Sequence, residues 1–97
     1  MPYLISYDIK SDSLRLKVSK RLLADGCIRL QKSVFAGQVG GPVLKDLSAW
    51  LEETVKAKED SVFILDVGLE TLKRTQWIGR QTPDWAFATD PPDVLFI

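Results

Sequence analysis

Asp8 closes the apolar run Tyr3-Leu4-Ile5-Ser6-Tyr7, and Ile9-Lys10-Ser11-Asp12-Ser13 follows at once. The run reads as a strand, because β-branched and aromatic residues fill a short extended stretch. Ser11-Asp12-Ser13 ahead of Leu14 reads as a helix start, where a short oxygen side chain caps free backbone N–H groups. An acid between a strand end and a helix start has two uses. It can shape the turn, or it can face a ligand, since ligand sites in α/β sheets gather just past the carboxyl ends of strands.

The chain has no histidine and one cysteine. The first fact removes Ser-His and Cys-His nucleophile pairs and the commonest general base. Chemistry here must come from carboxylates, water, hydroxyls, lysine or a metal, and hard divalent cations with oxygen ligands suit that inventory best. The lone Cys27 excludes an intramolecular disulfide and any multi-cysteine zinc site. It reads as a small core residue at a strand start.

Ninety-seven residues with a hydrophobic fraction of 45% make one domain with one modest core. No apolar run reaches the length of a membrane span and no signal peptide precedes Tyr3, so a cytoplasmic location without membrane contact is expected. The formal net charge of zero hides an asymmetry. Between Lys10 and Lys32, seven basic residues face only Asp12 and Asp25, whereas between Lys45 and Glu70 seven acids face three lysines. A basic region beside an acidic one can bind a polyanion without a basic isoelectric point. An ordinary solvated helix face is the commoner meaning of such a run.

The elements that must position these residues are legible from periodicity. A helix is predicted from about Asp12 to Asp25. Leu14, Val18 and Leu22 form its apolar stripe, Leu16 and Leu23 widen it, and Lys17, Lys20 and Arg21 lie opposite. Asp25-Gly26 stops it. Arg15 lies toward the apolar arc in the first turn, where it can reach over the strand end that carries Asp8. Ile28 to Val39 reads as strand, with a bend or bulge at Phe35-Ala36-Gly37. Gly40-Gly41-Pro42 turns into a second helix bearing Val43, Leu44, Leu47, Trp50, Leu51 and Val55, with Trp50 in the core. Ser61 to Leu65 is expected to be a strand buried on both faces, and Thr75 to Ile78 a further short strand ended by Gly79. Gln81 to Pro92 is irregular, and Val94 to Ile97 is apolar enough to pair with a sheet edge of a partner. The order is that of an α+β, ferredoxin-like βαββαβ domain over residues 1–80, with a C-terminal extension over 81–97 that adds strand.

Several of these residues recur together in one known family. Tyr3 to Ile9, Asp12, Arg15, Gly26, Arg29-Leu30-Gln31-Lys32-Ser33-Val34-Phe35-Ala36-Gly37, Asp60-Ser61-Val62 and Ile78-Gly79 resemble the small CRISPR-associated adaptation protein family, Cas-two. The resemblance spans about residues 1–79. Tyr-Asp-Ile closing the first strand together with Gln-x-Ser-Val-Phe closing the second is a specific combination. The resemblance implies a ferredoxin-like homodimer that joins two dimers of the CRISPR integrase during insertion of new spacer DNA. It also implies, for some members, a metal-dependent endonuclease acting on single-stranded RNA or double-stranded DNA. Asp8 matches the family's metal-linked aspartate. Tyr7, Arg15, Arg29, Ser33 and Phe35 match positions tied to activity or nucleic-acid contact. Lys17 stands where an arginine is frequent, which keeps the charge and loses the two-pronged phosphate grip.

One carboxylate is a poor magnesium site, but a two-fold axis could bring Asp8 of each subunit together as two ligands. Lys17, Lys20, Arg21 and Arg29 are the expected phosphate contacts, and Phe35 is expected to pack in the core. Three other functions use the same fold: a non-catalytic double-stranded DNA scaffold, an RNA-cleaving toxin, and a plain RNA-binding module. The last usually carries paired aromatics on its central strands, and here only Phe35 is a candidate.

Overall fold

The alternation in β1 (Tyr3–Asp8) decides the architecture. Ile5 and Tyr7 turn to one side and are buried, while Leu4, Ser6 and Asp8 turn to the other. The structure, a computed structural model, describes residues 2–79. It contains α1 (Asp12–Ala24), β2 (Ile28–Gln31), β3 (Val34–Gly37), α2 (Gly41–Thr54), β4 (Ser61–Asp66) and α3 (Leu69–Lys73). The strands form one sheet in the order β2-β3-β1-β4, with every neighbouring pair antiparallel. This is the split βαββαβ arrangement expected from the sequence. Both helices pack on the face that carries Ile5, Tyr7 and Phe35, with Val18 and Leu22 from α1 and Leu47 and Leu51 from α2.

Helix α1 begins and ends as the sequence predicts. The Ser11 side chain accepts from the Leu14 N–H at 3.3 Å. At the other end Gly26 takes φ +93°. Its N–H donates to the Leu23 carbonyl and that of Cys27 to Leu22, closing the helix by a left-handed turn that favours glycine. Between the ends, the buried arc is rotated from the expected one. Val18, Ser19 and Leu22 are buried, whereas Leu16 and Leu23 are 56% and 49% exposed. Ser19 can be buried because its hydroxyl donates to the Leu16 carbonyl at 2.9 Å.

The expected bend at Phe35-Ala36-Gly37 is absent. These residues sit inside β3, opposite Ile5, Leu4 and Tyr3, and the chain turns two residues earlier, at Lys32-Ser33. Phe35 and Ala36 are fully buried. A turn through them would have put apolar surface in water, so the break falls on the polar pair. The irregularity lies in β2, where the register shifts between Arg29 and Gln31. Helix α2 starts after Gly40 with Pro42 in its first turn, as expected. Trp50 packs against the core from its half-buried position.

Strand β4 corrects a second expectation. It is an edge strand buried on one face only, with Phe63 58% and Leu65 49% exposed on the other. Thr75 to Ile78 is not a strand; the chain there runs irregularly after α3, which the sequence reading did not anticipate. Leu72 anchors α3 and is buried. The C-terminal extension over 81–97, including the edge-pairing segment Val94 to Ile97, lies outside the described residues.

Glycine at position 37 is required by a close approach rather than by a backbone angle. A Cβ there would lie 2.5 Å from the Cys27 Sγ and 3.3 Å from its Cα. Gly37→Ala should therefore destabilise the fold by about 1–3 kcal/mol, read as a lower midpoint in urea. Combining it with Cys27→Ala, which removes the sulfur, should recover part of the loss. Strictly additive losses in the double variant would show that the two positions do not press on each other.

Candidate functional site

Asp8 is exposed at the last position of β1, opposite Ser61, on the sheet face turned away from α1 and α2. Its carboxylate makes no hydrogen bond or ion pair with the described residues. Ser6, Val34, Phe63 and Leu65 share that face by register. Among the described residues no group of three or more His, Cys, Asp or Glu comes together. The Asp8 carboxylate alone is a poor magnesium site, but magnesium keeps several of its waters and binds through one or two carboxylates, so one such group from each of two copies would suit it. Such a pair does not fit an ion that needs a closed protein cage.

The backbone just after Asp8 is gripped from two sides. The Ile9 carbonyl accepts from Arg15 Nη1 at 2.7 Å, and the Lys10 carbonyl accepts from the same nitrogen at 3.1 Å. The N–H of Lys10 donates to Asp60 Oδ1 at 3.0 Å. Asp60 Oδ2 accepts from the Lys56 N–H, also at 3.0 Å, so one carboxylate ties the β1–α1 loop to the loop ahead of β4. Those N–H groups, first Lys10 and then Lys56, hold the Asp60 carboxyl below the usual carboxylate range. Arg15 also pairs with Asp12.

A second feature lies on the helix side of the sheet. Tyr7, Arg15, Leu16, Ser19, Arg29 and Lys32 line a notch of about 200 Å³. Arg29 donates to the Lys32 carbonyl at 2.9 Å, and its guanidinium lies 4.9 Å above the Phe35 ring. Phe35 in turn stacks on Tyr7 with centroids 6.0 Å apart. The Tyr7 N–H donates to the Ser33 carbonyl, which fixes the β2–β3 turn against β1.

The nominated residues therefore fall into separate places. Tyr7, Arg15, Arg29, Ser33 and Phe35 gather at the notch and its floor. Phe35 is fully buried and supports Arg29 from below, as its expected core role requires. Asp8 lies on the opposite face of the sheet. Lys17 and Lys20 are exposed on α1. Arg21 does not join them: it is half-buried, pairs with Asp25 at 3.1 Å and stacks 5.1 Å over the Trp50 ring, bridging α1 to α2. Asp60 and Lys32 were not singled out from the sequence. The signal for Asp60 was an acid placed directly before a strand, where a carboxylate often caps loop N–H groups. Cys27 is buried, and that burial, aided by the charge of Asp25, pushes its thiol up to about 11. It is an inert core residue.

Comparison with known proteins places this geometry. A family model described as CRISPR associated protein Cas2 matches residues 1–75. A CRISPR-associated endoribonuclease Cas2 of Pyrobaculum aerophilum is 34% identical over 86% of this chain and 91% of its own length. A fusion of CRISPR-associated endonuclease Cas1 with endonuclease Cas2 from Thermoproteus tenax is 28% identical over 86% of this chain and 31% of the fusion. The crystal structure of Streptococcus pyogenes Cas2 superposes with a TM-score of 0.73 at 25% identity, covering 81% of this chain and all of that one.

The Asp60 clamp has a pH signature. Its folded carboxyl titrates below its unfolded one, so the unfolded chain takes up the proton first as pH falls. The stabilisation is complete above the ordinary carboxylate value of about 4 and is lost as pH drops toward the folded value. Thermal unfolding followed between about pH 6 and 2 should fall less steeply for Asp60→Asn than for the unaltered chain. Parallel curves would mean that Asp60 titrates alike in both states.

Proposed function

The chain belongs to the Cas2 family of CRISPR-associated proteins, and from that premise we propose that it is a cytoplasmic, homodimeric subunit of CRISPR adaptation. It binds nucleic acid and hydrolyses phosphodiester bonds in single-stranded RNA or double-stranded DNA with magnesium at Asp8. The observation that carries this reading is a carboxylate with no partner among the described residues, on a sheet face that also exposes Phe63 and Leu65. Large apolar side chains on an open sheet favour a partner, since each contributes roughly 1.5–3 kcal/mol when fully buried. A second copy seated on this face would cover them and supply a second Asp8.

Asp8 of each subunit would hold the ion, which when bound supplies an acidified water and shields phosphate charge. The remaining work falls to the chain's own residues. Arg29 and Lys32 at the notch, with Lys17 and Lys20 on α1, draw in and hold the phosphate backbone. Arg29 is pre-oriented by the Phe35 ring and the Lys32 carbonyl, so its other donors meet a phosphate with little loss of freedom. The Cas1–Cas2 fusion among the relatives supports assembly with the Cas1 integrase. A second reading, a double-stranded DNA scaffold without catalysis, is favoured by the absence, among the described residues, of any group of three or more His, Cys, Asp or Glu that could hold a metal.

Asp8→Ala should abolish magnesium-dependent cleavage of RNA or duplex DNA while the protein still sediments as a dimer. Undiminished cutting by the variant, at matched purity, would remove Asp8 from the chemistry. Duplex binding without any cleavage by the unaltered chain would establish the scaffold reading.

Duplex affinity should fall steeply with salt as phosphate contacts release counterions. Reversing Lys17 and Lys20 together to Glu should lower it by about tenfold or more for all sequences alike. A loss confined to one sequence would indicate base reading and contradict backbone contact.

A further inference from the structure

The peptide unit joining Ile9 to Lys10 is the first that follows the Asp8–Ile9 peptide, and both of its polar atoms are taken by charged side chains. Arg15 holds its oxygen at 2.7 Å and Asp60 holds its N–H at 3.0 Å. The Ile9 side chain is buried in the core cluster. Asp8 is thus fixed on one side by its pairing with Ser61 in β4 and on the other by a peptide that cannot rotate without breaking two charge-assisted hydrogen bonds. Asp60 is itself locked by the Lys56 N–H, and Arg15 by Asp12 and the Lys10 carbonyl. Little of the Arg15 guanidinium is left for a phosphate.

We propose that Asp60 and Arg15 are positioning residues that fix the Asp8 carboxylate for its cation through the Ile9–Lys10 peptide. Groups that orient a metal ligand typically change metal affinity by about 10–100-fold when removed. The two side chains act from opposite ends of one peptide, so either loss frees the same rotation. This inference rests on the proposed role of Asp8 as a metal ligand.

The test uses the full-length chain and Mn²⁺ as probe, a hard cation of the same ligand preference, with binding read from solvent-proton relaxation rather than from cleavage. Asp8→Ala should lose Mn²⁺ binding. Asp60→Asn and Arg15→Lys should each weaken it by about tenfold or more. Lysine cannot span two carbonyls and an acid as the planar guanidinium does. Gly26→Ala, which strains the far end of α1, serves as a variant destabilised elsewhere and should bind Mn²⁺ normally. If Asp60→Asn proves too unstable to purify, Arg15→Lys decides the matter alone. Normal Mn²⁺ affinity in the positioning variants, with binding lost in Asp8→Ala, would overturn this proposal and spare the ligand role. Unchanged binding in Asp8→Ala would overturn both. Equal weakening by Gly26→Ala would reduce the effect to general instability and overturn the positioning role.

Discussion

Helices α1 and α2 cover one face of the four-stranded sheet, and the five-residue α3 with the segment after it reaches only part of the other. Most of what distinguishes this chain depends on that limit. The covered face takes Ile5, Tyr7 and Phe35 and seals them with Val18, Leu22, Leu47 and Leu51. The other face is left with Leu4, Ser6, Asp8, Phe63 and Leu65 in alternating positions. Because β1 is central in the sheet, its last residue emerges between two neighbouring strands rather than at a loose margin. An acid there is accessible and yet carried by a strand that is paired on both sides. The same limit puts the cationic notch and Asp8 on opposite sides, so a nucleic acid that reaches both must pass around the strand ends.

The fold was legible in the sequence wherever local chemistry and burial pointed the same way. Ser11 and Gly26 delimit α1, Pro42 opens α2, and the strand runs are short and apolar, so the βαββαβ order followed directly. The failures share a cause. Phe63 and Leu65 look like core from composition alone, and it is their place on the face turned away from α1 and α2 that exposes them. The β2–β3 turn was sought at a glycine, but burial of Phe35 and Ala36 outweighed the backbone freedom of Gly37. What the glycine supplies there is the missing Cβ, which lets the chain approach Cys27. Helix α3 is five residues long, too short for periodicity to reveal.

The candidate site was legible in part for related reasons. Asp8 and Arg15 could be placed at one strand end because both lie in a single local stretch of chain. Arg29 over Phe35 is a cross-face neighbour relation that strand alternation permits. Asp60 is 50 residues from its partner Lys10, and no spacing rule links such a pair. Arg21 looked solvated on a helical wheel, yet a guanidinium with an aromatic ring beside it on the next helix leaves the solvent face. Long-range pairing of charge with backbone is what a linear reading does not contain.

Strand β4 also bears on how copies of the chain can avoid running together without limit. Among the described residues it has an unpaired backbone edge and two large exposed apolar side chains, the combination that seeds open-ended β ladders. Its sequence is bracketed by Glu59 and Asp60 before and Asp66 at its end. A parallel, in-register stack would set each acid over its own image, and like charges directly opposite repel. Acids at such flanking positions act as gatekeepers, so the charge that brackets β4 penalises a fibre.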